Sequence, residues 1–440
     1  MTVEYERPPV IDDRQRDLYD EIVAGQHTDG HAGRIAFAVS TDDLDAGRGD
    51  LFVALGLAKY LARLGWGVRL WPMSQWGERL DGVDAVISML ESFVPGLVPA
   101  HAARIAWVRN WTETWLEQPF LREFDAVWSS SSASAEVLAA AYGRAVDVVP
   151  IAADAELFSP TEGRRGLSVV SSVNHWGTPR RIHSVLGDLG ARVDVTLFGE
   201  QGDGAAVSHV AHAGRISYFG LPDVYRRSLV VLDDVIDQAA VYGNQNSRLF
   251  ESISAGALPV TNTRAGLDEL GLGAVPTYSG AEDLVEVVER FGHDRDAFTA
   301  RTDELSAVVR ERHTFEVRAA ETEPLIRAAI GRAQDRAEPS YLLAALSEER
   351  ASKIFTSTIS DLRQVEIDRR DRRINDLERA VEAAERRIER LNSVLFDASQ
   401  ELEAQRNRKI NRVERTVRDS ASTALALPRR VRGALSRWSG

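Results

Sequence analysis

"GNQNSRLFESISAGALPVTNTRAGLDELG", residues 243–271, runs from a polar loop through a short amphipathic helix and an apolar strand to a second glycine loop. It follows closely on SLVVLDDVI, residues 228–236, whose apolar run reads as a strand. Strand, polar loop, helix and strand form the repeating unit of a parallel sheet with crossover helices. Ligands of such sheets sit outside the carboxyl ends of the strands, where helix N-termini present free amides. Asn244, Asn246, Ser247 and Arg248 are thereby placed to face a diphosphate, and Glu251, one turn into the helix, to reach a ribose diol. Read locally, the same residues also fit a plain helix capped by Asn246 or Ser247 with Glu251 exposed.

The same alternation extends towards the N-terminus. RIAFAVS from Arg34 reads as a strand, DDLDAGRGD as a loop, LFVALGLAKYLARLG as a helix and VRLWP as a strand. VDAVISM, ARIAWVRN and FDAVWSSS continue as strands, and ASAEVLAAAYG as a helix closed by Gly143. A second start follows: GLSVVSSV, VDVTLFG, ISYFG and SLVVLDDVI read as strands, with RIHSVLGDLG as a helix. The fold class expected is α/β, with two facing Rossmann-like doubly wound domains and a cleft between them. The boundaries expected are 1–33 for an N-terminal extension, 34–150 for the first domain and 151–330 for the second. The extension carries a helix around Asp12 to Ala24 and a histidine-bearing loop, GQHTDGHAG, read as solvated rather than metal-binding.

After Pro339 the composition turns to charged helix, expected over 340–412. Ile367, Ile374, Val381, Ile388, Leu395 and Leu402 recur every seven residues, with Leu377, Ala384, Leu391 and Ala398 between them. β-branched residues at a and leucine at d favour a parallel dimer, so a homodimer through 367–405 is expected. Phe355, Ile359 and Leu362 are out of phase, which predicts a stutter or a separate helix before the seam. Residues 404–440 hold ten basic and two acidic residues, whereas the whole chain carries −13. The acidic body argues against nucleic acid, and the basic amphipathic tail 413–440 suits an anionic membrane surface or a disordered solubilising role.

The chain has no cysteine, which excludes disulfides, thiolate metal sites and cysteine nucleophiles. No apolar run approaches the roughly 18 residues of a membrane span, and the start lacks a signal pattern. A cytoplasmic protein, peripheral at most on the inner face of the cell membrane, is expected.

VVPIAADAELFSP, residues 148–160, resembles the segment joining the two domains of GT-B glycosyltransferases. RLFESISAGALPVTNTRAGLDELG, residues 248–271, resembles the donor-site helix and loop of the family 4 group, with a Glu, then Ala-Gly-x-Pro-Val, then a Gly before an acidic helix start. The spacing of Arg248, Phe250, Glu251 and Gly256 is most similar to the spore-maturation, CgeB-like branch. The motifs span 148–271, and a weaker similarity in strand order spans 34–327. The resemblance implies a nucleotide-sugar donor and a glycan or lipid-linked saccharide acceptor. It also implies transfer with retention and without a metal or other cofactor. It assigns the donor to Gly49, Arg180, Arg181, Asn244, Asn246, Ser247, Arg248 and Glu251. Arg109 and Asn110, in WVRNWTETW, take the catalytic side of the cleft, where Trp107, Trp111 and Trp115 either stack on sugars or fill the core. One departure stands out: eight positions before the ribose-binding Glu the family carries a second Glu, and this chain has Gly243.

Two other readings compete. Asp233-Asp234 and Asp42-Asp43-Leu44-Asp45 resemble the acidic metal motifs of single-domain GT-A enzymes, but two complete doubly wound units oppose that. A catalytically degenerate scaffold that dimerises and binds a glycan or partner enzyme is favoured by Gly243 and opposed by Arg48, Arg248 and Glu251.

Overall fold

The computed structural model describes residues 9–161, 165–172, 181–199, 209–334 and 341–425. After helix α1 (Asp13–Val23), the first lobe runs β1 (Gly33–Val39), α2 (Gly49–Arg63), β2 (Trp66–Pro72), β3 (Ala85–Ser88), β4 (Ala103–Val108), α3 (Thr112–Leu116), β5 (Ala126–Ser129), α4 (Ser132–Tyr142) and β6 (Asp147–Val148). Its strands form one parallel sheet in the order β2-β1-β3-β4-β5-β6. The strands are buried on both faces, so they read as continuous apolar runs rather than alternating ones. α2 is buried along nearly its whole length from Asp50 to Leu61, which its run LFVALGLAKYL allows because it is apolar all round. α4 ends as its sequence demands, with Gly143 in the left-handed region at φ 78°.

The second lobe runs β7 (Leu167–Ser172), α5 (Ile182–Gly190), β8 (Val195–Phe198), β9 (Ala211–Gly214), α6 (Leu221–Arg227), β10 (Ser228–Asp233), α7 (Asp237–Ala240), α8 (Ser247–Ser254), β11 (Leu258–Thr261), α9 (Ala281–His293), α10 (Arg295–Arg312) and α11 (Phe315–Gln334). Its parallel sheet has the order β11-β10-β7-β8-β9. Both sheets therefore reverse strand order once, and each opens a crevice at that reversal. ISYFG is not a strand. Ser217 accepts from the Phe219 amide and starts a helical turn at Tyr218–Gly220, and Pro222 then stands in the first turn of α6.

The linker is tied down by one buried carboxylate. Asp154, fully enclosed, accepts from Lys59 Nζ at 2.8 Å, Tyr19 at 2.9 Å, Tyr60 at 3.0 Å and the backbone amide of Glu156, two residues on, at 3.1 Å. α1, α2 and the linker are thus locked through a single side chain. α11, assigned from sequence to the second domain up to residue 330, packs on α2, β3 and β4 of the first lobe. Its Phe315 ring fills the space above Gly56, where a Cβ would come within 2.4 Å of the ring.

Contacts divide the chain into Met1–Thr358 and Ile359–Gly440. A continuous helix, α12 (Tyr341–Leu425), carries the heptads, so no separate helix precedes the seam. Ile374, Leu377, Val381, Ile388, Leu391, Leu395 and Leu402 are each more than half exposed on it.

Candidate active site

The crevice of the second lobe lies between β7 and β10, and one arginine spans it. Arg248 Nη1 meets Asp233 Oδ1 at 3.0 Å at the end of β10. Its Nε donates to Ser172 Oγ at 3.1 Å, and its Nη2 to the Ser172 carbonyl at the end of β7. Burial opposes the Arg248 charge, but Asp233, with Tyr225, Glu251 and Asp234 nearby, holds the guanidinium above its ordinary value. Asn246 precedes α8 as its cap residue, yet its amide turns away from the helix to Asp233 Oδ1 at 2.8 Å and the Asp234 carbonyl at 3.2 Å. α8 therefore begins without a side-chain cap, and its first amides stand at the crevice. Ser247 is the first residue of that helix and half-buried.

Glu251 lies one turn further in and is only 5% exposed. Burial pushes its carboxyl up to about 7, with the Tyr218 hydrogen bond and Arg248 acting against the rise and Asp233 adding to it. Tyr218 donates to Glu251 Oε1 at 2.9 Å, and its ring stacks on Phe52 of the first lobe at 3.8 Å. The expected exposed or ribose-ready carboxylate is thus an enclosed one that already holds a hydroxyl. Nothing in the sequence pattern signals Tyr218, because ISYFG reads as strand, or Ser172, an ordinary residue ending an apolar run.

Asn244 is placed elsewhere than expected. It is 1% exposed, and its Oδ1 accepts from Ser130 Oγ at 2.9 Å and Ser131 Oγ at 2.7 Å while Nδ2 donates to Thr112 Oγ1 at 3.2 Å. Its side chain joins the lobes and does not face a diphosphate. Ser132 and Glu269 add a contact beside it, with the Ser132 amide and hydroxyl at 3.0 Å and 2.6 Å from Oε1. Arg181 precedes α5 and pairs with Asp237 at 2.7 Å on the surface. Arg180 lies outside the described residues.

On the first lobe, Gly49 opens α2, and a Cβ there would meet nothing within 4 Å. Arg109 and Asn110 follow β4 directly and are half-buried, with the Arg109 carbonyl accepting from Ser130 Oγ at 2.8 Å. Trp107 and Trp115 belong to the core, at 0% and 1% exposure, and Trp107 Nε1 donates to the Val149 carbonyl at 2.7 Å. Trp111 is half-buried in the left-handed region at φ 56°.

Position 243 explains its own departure. Gly243 has φ 72°, and a Cβ there would lie 2.9 Å from the Gly266 amide nitrogen. A glutamate side chain has no place where the two loops touch. Asp233 and Asp234, at 0% and 1% exposure, are engaged by Arg248 and Asn246 and by Asn262, respectively. Among the described residues, no group of three or more His, Asp or Glu side chains is disposed to hold a metal.

Residues 179–323 match the family model described as glycosyl transferase-like. HepE of Anabaena, solved with UDP and glucose, superposes with a TM-score of 0.52 and 11% identity, over 67% of this chain and 99% of its own. Sucrose-phosphate synthase of Thermosynechococcus elongatus gives 0.50 and 12%, over 68% and 99%. No curated protein sequence matches the chain significantly. The fold is GT-B, and the matched domain defines the class of enzyme as glycosyltransferase.

Proposed function

We propose that the chain moves a sugar from a nucleotide-sugar donor to a glycan or lipid-linked saccharide. The observation that carries this reading is the convergence of Arg248, Glu251 and the uncapped start of α8 on the β7/β10 crevice. A guanidinium and free helix amides suit a leaving diphosphate, because fixed donors stabilise charge that develops as the sugar departs. A carboxylate suits a ribose diol, and HepE, of the same fold, binds UDP with glucose. To this donor side the sequence reading adds Arg180, Arg181, Asn246 and Ser247, and to the first-lobe side Gly49, Arg109 and Asn110. Transfer proceeds with retention and without a metal: the acceptor hydroxyl attacks on the leaving-group face, and a donor phosphate oxygen takes its proton. The spacing of Arg248, Phe250, Glu251 and Gly256 supports a relationship to the spore-maturation branch.

Calorimetric titration with UDP, GDP, dTDP and ADP in EDTA tests the reading. One nucleotide is expected to bind selectively, and Glu251→Ala to weaken it at least about tenfold. Failure of all four to bind would favour the scaffold reading, which rests on Gly243. No described helix is long and apolar enough to cross a membrane. Peripheral attachment is proposed for the basic tail on its charge pattern. Deleting 413–440 is expected to move the protein from membrane to soluble fraction, and an unchanged distribution would remove that part of the proposal.

A further inference from the structure

Tyr218 touches both lobes. It stands in the helical turn Tyr218–Gly220, between β9 and α6 of the second lobe. Its ring lies flat on Phe52 of α2 in the first lobe, with centroids 3.8 Å apart and planes at 11°. Phe158 of the linker meets the same ring edge-on at 5.5 Å. The neighbouring Phe219 is held from that side as well, edge-on to Tyr19 of α1 at 5.5 Å and to Phe52 at 6.0 Å. A ring stacked on one face and met at its edge has little room to swing, so Phe52 and Phe158 fix where its hydroxyl points. That hydroxyl donates to Glu251 Oε1 at 2.9 Å.

Among the described residues no second hydrogen bond reaches the Glu251 carboxyl. The Tyr218 hydroxyl and Arg248, on its own helix, favour the ionised form against burial and Asp233 at the end of β10. The ionised form accepts at both oxygens, and the oxygen that holds Tyr218 keeps a lone pair for a second donor. The phenols and the imidazole around Glu251 keep one charge state between pH 5 and 9. Tyr225 of α6 is pushed up to about 12 by burial, and burial likewise takes Tyr19 and Tyr218 well above the ordinary range. His313, whose ring lies 5.2 Å from Phe250, is lowered by burial to about 4. β11 carries no charged residue, and α10 offers Ser306, which donates to the Ile253 carbonyl at 3.1 Å.

We propose that Tyr218 is a positioning residue of the donor site: Phe52 of the first lobe holds its ring so that its hydroxyl keeps Glu251 in the form that accepts a ribose diol. The inference rests on the donor reading above and adds how first-lobe packing governs that carboxylate.

The test uses the full chain. Urea unfolding of the unliganded protein between pH 5 and 9, referenced to Glu251→Gln, reads the Glu251 charge. The folded pKa lies above the ordinary 4.5, so its contribution to stability falls with rising pH and levels off above about 7 in wild type. Tyr218→Phe removes a donor that favours the ionised form, so the levelling point is expected to move up by about one pH unit. Affinity for whichever of UDP, GDP, dTDP and ADP binds wild type is expected to fall about fivefold at pH 7 and to recover by pH 9, which a merely structural loss would not do. Phe52→Leu is expected to move both profiles the same way by less, and no further when added to Tyr218→Phe. If Tyr218→Phe does not fold, Phe52→Leu alone decides. An unmoved levelling point in the folded variant, an affinity loss uniform across pH, or a further shift in the double variant would each overturn the proposal. Wild type that binds a nucleotide while the variants keep its pH profile removes only this inference. Wild type that binds none removes the donor reading, and this inference with it.

Discussion

Burial raises the Glu251 carboxyl against the opposing pull of the Tyr218 hydroxyl and Arg248. Its folded pKa, about 7, lies above the ordinary 4.5, so the stability it contributes is full below about 4.5 and is lost as pH rises through about 7. Glu251→Gln is expected to remove that part of the pH dependence, which urea unfolding between pH 5 and 8 measures. Nucleotide binding should run the other way, because the ionised carboxylate accepts two diol hydroxyls and the neutral one fewer. Wild-type affinity is therefore expected to rise between pH 6 and 8, and a flat calorimetric profile would contradict Glu251 as the ribose ligand. Asp154 is the structural counterpart. Asp154→Asn leaves Lys59 enclosed beside a neutral amide and is expected to cost about 3–5 kcal/mol, read from chemical denaturation. Glu156, also within 2.9 Å of Lys59 Nζ but 41% exposed, supplies the residual charge and sets the lower end of that range.

Among the elements, α11 has the clearest single point of failure. Gly56 in α2 leaves room for Phe315 at the start of α11, and that ring is 2% exposed. Gly56→Ala pushes a methyl into it and is expected to destabilise by about 1–3 kcal/mol despite the better helix propensity of alanine. Phe315→Ala should cost about 3–5 kcal/mol alone, and the double variant less than the sum, because removing the ring gives the methyl its space. Additive losses in a double-mutant cycle would show that the contact is not what fixes α11. This packing was not legible in the sequence. The apolar pattern of 315–334 announces a helix, but which lobe it joins depends on a glycine some 260 residues earlier. β9 and the turn at Tyr218–Gly220 were missed for a related reason: AHAG is too weakly apolar to read as a strand, and YFG is apolar for burial against the other lobe.

For the whole molecule, the exposed seam of α12 predicts self-association. Ile374, Leu391 and Leu395 recur at heptad spacing with nothing over them in the single chain. Burying such positions against a second copy removes apolar surface from water at about 25 cal/mol per Å². Sedimentation equilibrium is expected to give twice the 48.5 kDa chain mass, and Leu391→Lys with Leu395→Lys to return it to one. A monomeric wild type would remove the homodimer from the proposal. Beyond Leu402, Ile410, Val413 and Val417 remain exposed on a seam shifted by one residue, so the pairing is expected to loosen there.

The sequence by itself determined the two parallel sheets, the helix that begins at Ser247 and the heptads. Each is written in local periodicity, turn residues or spacing within a few tens of residues. Tertiary structure alone decided what the polar residues do. Asn244, Asn246 and Arg248 lie within five positions, yet one joins the lobes while two meet at the end of β10, because strand order brings Ser130, Ser172 and Asp233 to them from distant parts of the chain. The charge of Glu251 was decided in the same way, since desolvation and the Tyr218 hydroxyl exist only once the second lobe has folded around it and the first has come to lie against it.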